Sequence, residues 1–105
     1  MKNFFFILSR KIFVVILHLI DINNGQKIFL VNCAACHAGG NNIVKPEKTL
    51  KKDSLEKNGM NKVSSIRYQI INGKNAMPAF GGRLNETEIE DVANYVITKS
   101  NINWE

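Results

Sequence analysis

Apolar positions recur along this chain in four groups of helical period, each bounded by residues that start or stop helices. In the first group Asn24 stands where a cap is needed. Ile28, Phe29 and Val31 fall near one face, and Gly25 leaves room for another helix to approach closely. A second, short group runs over about 50–57, with Thr49 placed to cap it and Asn58-Gly59 to end it. The third opens at Ser64 or Ser65, turns Ile66, Ile70 and Ile71 inward and stops at Gly73. The fourth opens at Asn85, with Glu88 three residues on in a variant of the capping box. It sets Ile89, Val92, Ala93 and Val96 at i, i+3, i+4 and i+7, with Tyr95 at the flank. Glu86, Glu88, Glu90 and Asp91 crowd its start, where the macrodipole favours negative charge. That predicts a solvated helix terminus in preference to a metal site. Strand alternation and internal repeats are absent, so the expected fold is all-α.

The first twenty residues break the rhythm. They are apolar and basic without a single acid: Lys2, Phe4-Phe5-Phe6, Arg10-Lys11, then an apolar run from Ile12. A positive segment followed by an apolar one has the form of a secretory signal peptide. A membrane anchor is the second reading, because Arg10, Lys11 and His18 interrupt the ~20 apolar residues that a span needs. Leu19-Ile20 stand where small residues would precede a cleavage before Asp21, so processing and retention of the leader both stay open. The expected domain is residues 21–105.

This division changes the meaning of the charge. The 105 residues carry fourteen Lys and Arg against nine acids, a net +5 that by itself suggests an anionic partner. Lys2, Arg10 and Lys11 belong to the leader, so residues 21–105 hold eleven bases against nine acids, a net +2. No interleaving of aromatic and basic residues restores a case for nucleic acid.

Both cysteines lie in the run Cys33-Ala34-Ala35-Cys36-His37. A thioredoxin-type redox pair would sit in a β-α-β pattern, which this chain lacks. A zinc site needs four ligands, and the remaining histidine is His18 in the leader. The third reading, covalent attachment of a c-type haem, is the one for which Cys-x-x-Cys-His is the specific signature. On a helical turn residues three apart share a face, so Cys33 and Cys36 can each reach one vinyl group while His37 offers its imidazole to the iron.

Iron bound by one histidine leaves a sixth position. Left open, it would suit a haem sensor or peroxidase-like protein; filled by a thioether, it makes an electron carrier. The candidates are Met60 and Met77. Met60, in Lys57-Asn58-Gly59-Met60-Asn61, can simply close a helix end against the core. Met77 lies in Gly73-Lys74-Asn75-Ala76-Met77-Pro78-Ala79-Phe80-Gly81-Gly82, where Pro78 favours extended backbone before it and the glycines permit tight turns. Met77 is therefore the better candidate.

With these motifs in place, residues 21–104 resemble the class I c-type cytochromes, specifically the cytochrome c6 family of algae and cyanobacteria. The resemblance is densest in Asn32-Cys33-Ala34-Ala35-Cys36-His37-Ala38-Gly39-Gly40-Asn41-Asn42, in 72–84, and in Ala93-Asn94-Tyr95-Val96. It implies a cytochrome c-like fold around one covalent haem c, with Cys33 and Cys36 as thioether residues and His37 and Met77 as axial ligands. It further implies that Gln69 tunes the haem, that Arg83 serves in partner docking, and that Gly25, Phe29 and Tyr95 form the contact of first and last helices. The implied function is one-electron transfer, not enzyme catalysis, from cytochrome f of the cytochrome b6f complex to photosystem I. The implied place is the thylakoid lumen, with a leader of the plastid-encoded or cyanobacterial kind. The protein would be a monomer or weak oligomer without stable membrane insertion after processing. A respiratory cytochrome c feeding an oxidase is the alternative that keeps the same chemistry.

Six lysines (Lys45, Lys48, Lys51, Lys52, Lys57 and Lys62) stand among Glu47, Asp53 and Glu56. They are expected to form a solvated face, which leaves Arg83 as the docking charge. Size adds one prediction. A domain of ~60 residues buries only about 60% of the surface that its unfolded chain exposes, and 21–105 is little larger and free of disulfide staples. The haem-free chain should therefore be largely unfolded, with collapsed amide dispersion in NMR spectra; a dispersed, cooperatively melting apoprotein would contradict this.

Overall fold

The computed structural model describes residues 19–105, so the leader expected over 1–20 lies outside it except for Leu19 and Ile20. Helix α1 spans Ile22–Asn32 and α2 is the single turn Ala34–His37, which runs on into a 3-10 turn at Ala38–Gly40. Then come α3 (Lys52–Lys57), α4 (Val63–Asn72) and α5 (Glu86–Asn101). Among the described residues there is no strand, only an isolated bridge between Lys74 and Met77, and the all-α expectation holds. No helix among them is long and apolar enough to cross a membrane.

Helix α1 begins three residues earlier than its pattern suggests. Asp21, in extended backbone, is the cap, and its carboxylate accepts the N–H of Asn24 at 3.0 Å. Asn24 is thereby freed for a longer reach, its amide donating to Asp91 Oδ2 at 3.0 Å. The other oxygen of Asp91 accepts the backbone N–H of Asp21 at 2.9 Å. Asp91 is only 3% exposed, which corrects its assignment to a solvated acidic terminus. A carboxylate that far from water needs donors, and those found here tie the start of α1 to α5. Val31, expected inward, is 83% exposed. The buried stripe is Gly25, Ile28 and Phe29, and a residue two positions beyond Phe29 is rotated by about 200° from it.

The crossing of α1 and α5 depends on Gly25. A Cβ at this position would run into the carbonyl of Asp91 and lie 2.8 Å from Tyr95 Cβ. Beside the notch, Phe29 packs on Tyr95 with ring centroids 5.3 Å apart, so the expected contact of Gly25, Phe29 and Tyr95 is present.

Helix α3 starts at Lys52, after the expected Leu50. Thr49 Oγ1 accepts from Lys51 N–H at 3.3 Å and so shapes a turn ahead of the helix instead of capping it. Helix α4 starts at Val63 with no side-chain cap, so neither Ser64 nor Ser65 opens it; Val63, packed against the core, anchors the first turn. It buries Ile66 and Ile70, leaves Ile71 half-buried, and ends at Gly73 with φ +67°. Helix α5 follows its sequence closely. Asn85 Oδ1 accepts Glu88 N–H at 2.8 Å while Glu88 Oε1 accepts Asn85 N–H at 2.9 Å, completing the capping box. Ile89, Val92, Ala93 and Val96 are all buried against Ile28, Phe29, Leu55, Ile66, Ile70 and Phe80.

Gly25→Ala should cost about 2 kcal/mol, because backbone on the facing helix cannot rotate away as a side chain would. For a domain this small that lowers the Tm of the holoprotein by about 10 °C. A thermal melt within about 3 °C of the parent would mean that the two helices part easily.

Candidate haem site

Between these helices lies a cavity of about 320 Å³. One part of its wall is made where α1 ends. Cys33 N–H still bonds to Phe29 O at 2.8 Å, and the chain then turns once more, with Cys33 O accepting from Cys36 N–H (3.2 Å) and His37 N–H (2.9 Å). This turn brings Cys33, Cys36 and His37 to the cavity together. Gly39 and Gly40, at φ +67° and +79°, then reverse the chain. The reversal carries the carbonyl of Asn41 to 2.8 Å from His37 Nδ1. A carbonyl can only accept, so Nδ1 holds the proton and Nε2 keeps its lone pair for a metal. Sequence reasoning missed this partner because it is a backbone atom; the consecutive glycines after His37 were the available signal.

Burial pushes the Cys33 thiol up to about 11, so it is neutral at ordinary pH. Redox-active cysteines need the reverse, a thiolate favoured by nearby positive charge. Among the described residues, no group of three or more His, Cys, Asp or Glu is placed to hold a metal ion.

The Met77 loop forms another part of the wall. Lys74 and Met77 exchange backbone hydrogen bonds at 3.0 and 2.9 Å, closing a tight turn in which Asn75 has φ +53°. Gly73 is required beneath it, since a Cβ there would lie 2.7 Å from Ala79 N. Phe80 N–H to Ile70 O (2.8 Å) and Gly81 N–H to Ile71 O (3.1 Å) fasten the loop to the end of α4. Gln69, in the last turn of α4, directs its amide Nε2 to Met77 Sδ at 3.8 Å. Met60 also lines the cavity, and its N–H bonds to Leu55 O at 2.7 Å, closing the end of α3.

Arg83 is exposed and does not line the cavity. Its guanidinium lies 5.0 Å from the ring centroid of Phe80, and Phe80 does line it. Of the six lysines, Lys45 and Lys48 reach the cavity rim and the other four do not.

These residues fit a c-type haem. Two thiols three apart share one turn, an imidazole offers an unprotonated nitrogen, a thioether is held in a fixed loop, and Phe29, Leu55, Ile70, Val92 and Val96 supply apolar walls. The cavity provides for a largely apolar group.

Known proteins agree. The family profile described as Cytochrome C oxidase, cbb3-type, subunit III matches residues 21–96. Cytochrome c6 of Bumilleriopsis filiformis is 69% identical and that of Petalonia fascia 68% identical. Each match extends over 85 residues, 81% of this chain and 99% or 100% of the relative. The structure of cytochrome c6 from the diatom Phaeodactylum tricornutum superposes with a TM-score of 0.78 at 51% identity, covering 80% of this chain and 99% of that one. Identity at this level, over essentially the whole of each relative and on the same backbone, settles the matter: the chain belongs to the cytochrome c6 family, c-type cytochromes that carry electrons on one covalently bound haem c.

Proposed function

We propose that Cys33 and Cys36 form the two haem thioethers, that His37 and Met77 are the axial iron ligands, and that the protein shuttles single electrons from cytochrome f of the cytochrome b6f complex to photosystem I in the thylakoid lumen. One observation carries the site: a single cavity gathers Cys33, Cys36, His37 and Met77, with the ring tautomer of His37 set by Asn41 O. Residues 1–20 act as the export leader, and the processed protein is a carrier that catalyses no reaction of its own and binds no nucleic acid.

When bound, the haem supplies a one-electron couple. The chain keeps that couple simple. Imidazole and thioether are both neutral, so the same pair serves either oxidation state without exchange. Apolar walls disfavour the extra charge of the oxidised centre, and an amide N–H on the Met77 sulfur draws electron density from it; both favour the reduced state. In the cavity lining Val44 is exposed, and Arg83 is kept nearby by its contact with Phe80. An edge that combines apolar Val44 with the positive charges of Lys45, Lys48 and nearby Arg83 suits brief docking steered by electrostatics.

Supply of a respiratory oxidase is the second reading, favoured by the oxidase-subunit description of the matching family profile. Flash-induced electron donation to isolated photosystem I separates the two. The parent protein should reduce it rapidly, and Arg83→Glu should slow the reaction on the order of 10-fold at low salt, with the difference vanishing as salt is raised. Equal rates at low salt would remove Arg83 from docking, and failure of the parent alongside fast oxidase turnover would replace the photosynthetic reading.

Gln69→Val should lower the midpoint potential. A hydrogen bond worth ~1 kcal/mol corresponds to at most about 40 mV for one electron, and redox titration reads this directly. An unchanged potential would show that the amide exerts no pull on the sulfur.

A further inference from the structure

We propose that Trp104 is a positioning residue for the haem cavity: its indole fastens the 41–51 loop and so fixes how far the cavity opens to solvent. Beyond the end of α5, the backbone enters left-handed conformation at two successive non-glycine residues, Asn103 (φ +54°) and Trp104 (φ +62°). That geometry is costly and persists only where its surroundings hold it. Here Trp104 N–H bonds back to Lys99 O at 2.7 Å, and the Lys99 ammonium donates to Glu105 O at 2.6 Å. The tail is thus folded back on its own helix and delivers the indole to the interior.

The indole is received by a matched site. Its ring centroid lies 5.3 Å from that of Phe29 and 6.0 Å from that of Tyr95. Gly40, buried at φ +79°, leaves the space that it occupies, since a Cβ there would run into the indole ring. A half-buried indole N–H needs an acceptor, and it finds Leu50 O at 3.0 Å, 54 residues away in sequence. Leu50 N–H in turn bonds to Gly40 O at 2.7 Å. Both peptide groups of Leu50 are therefore fixed, one to the turn after His37 and one to the chain end.

Leu50 closes the segment that contributes Asn42, Val44, Lys45, Lys48 and Thr49 to the cavity wall. Most of the segment's other hydrogen bonds are local, centred on the Asn42 side chain. The indole bond is the one that ties it to the far end of the chain, and Phe29, under the same indole, is itself part of the wall. Trp104 touches no cavity surface, so it acts through Leu50 and Phe29. Solvent exposure is one of the levers on haem potential, and the wall that Trp104 holds sets it.

Two variants of the holoprotein separate the bond from the packing. Trp104→Phe keeps an aromatic ring over Phe29 and Tyr95 but lacks the N–H; Trp104→Ala lacks both. In native-state hydrogen exchange, Trp104→Phe should speed the amides of Ile43 and Leu50 on the order of 5-fold, the factor set by one ordinary hydrogen bond in an opening equilibrium. The amide of Ile70 in α4 should be unchanged. Trp104→Ala should increase the first effect further, and the midpoint potential should fall in the order parent, Phe, Ala. Amide exchange reads the loop itself, whereas the potential rests on the haem-site reading above, so the two can fail separately. Unchanged loop exchange in Trp104→Phe, acceleration spread equally over α4 and the loop, or a potential unmoved in Trp104→Ala would each overturn the assignment.

Discussion

The close crossing of α1 and α5 at Gly25 is the constraint on which the site depends. Helix α1 carries Phe29 and ends in Cys33, so its placement on α5 decides where the turn of Cys33, Cys36 and His37 stands relative to Val92 and Val96. Three features fix that placement by different physics. The missing Cβ of Gly25 sets the distance. Asp91 sets the register along the axes, because its two oxygens take donors from residues 21 and 24 at the start of α1. The aromatic contact of Phe29 with Tyr95 sets the rotation about the axis. Loss of the notch would move Cys33 as well as weaken packing, since the helix has no other seat on this stripe.

The core is built on the condition that something fills its centre. Phe29, Leu55, Ile66, Ile70, Phe80, Val92 and Val96 belong to the buried cluster and also face the cavity. These residues meet each other on one side, and on the other each faces the cavity. Apolar surface is stabilising when covered, so a haem seated here would add to the core that these residues form. A covalent cofactor suits that dependence, because a group that completes the core cannot be lost without loss of the fold.

Much of this was legible in the residues. The Cys-x-x-Cys-His run, the Met-Pro loop and the fourth helix all rest on local rules, and the structure gathers the first two on one cavity beside α5, whose capping box and stripe are present as expected. The departures were at positions whose roles are set across the fold. Asn24 has the chemistry of a cap, but Asp21 competes for that role and Asp91 offers the Asn24 amide a partner that no local pattern contains. Asp91 looked like one of four dipole-matched acids because helical position, not burial, is what the sequence displays. Val31 is apolar and two residues from Phe29, yet the stripe narrows once Gly25 occupies the contact line. Trp104 gave no signal at all, since the backbone reversal that brings it inside follows the last helix and uses no glycine or proline.

The proposed ligation also needs His37 and Met77 held still, and the two ends of the site achieve this differently. On the histidine side the restraints closest to the ring are local: one helical turn, two glycines and a carbonyl four residues on. On the methionine side the turn closed by Lys74 and Met77 would be free to swing, because only two backbone hydrogen bonds hold it internally. Its rigidity is imported from α4, through Ile70 O and Ile71 O below and the Gln69 amide at the sulfur. Local opening on this side is therefore coupled to fraying at the C-terminal end of α4, whose last turn is finished by Gly73 and by these same loop contacts. Under the proposed ligation, the Met77 thioether is accordingly the ligand whose loss needs the least disruption, and the helix end beneath it is the element that sets how seldom that happens.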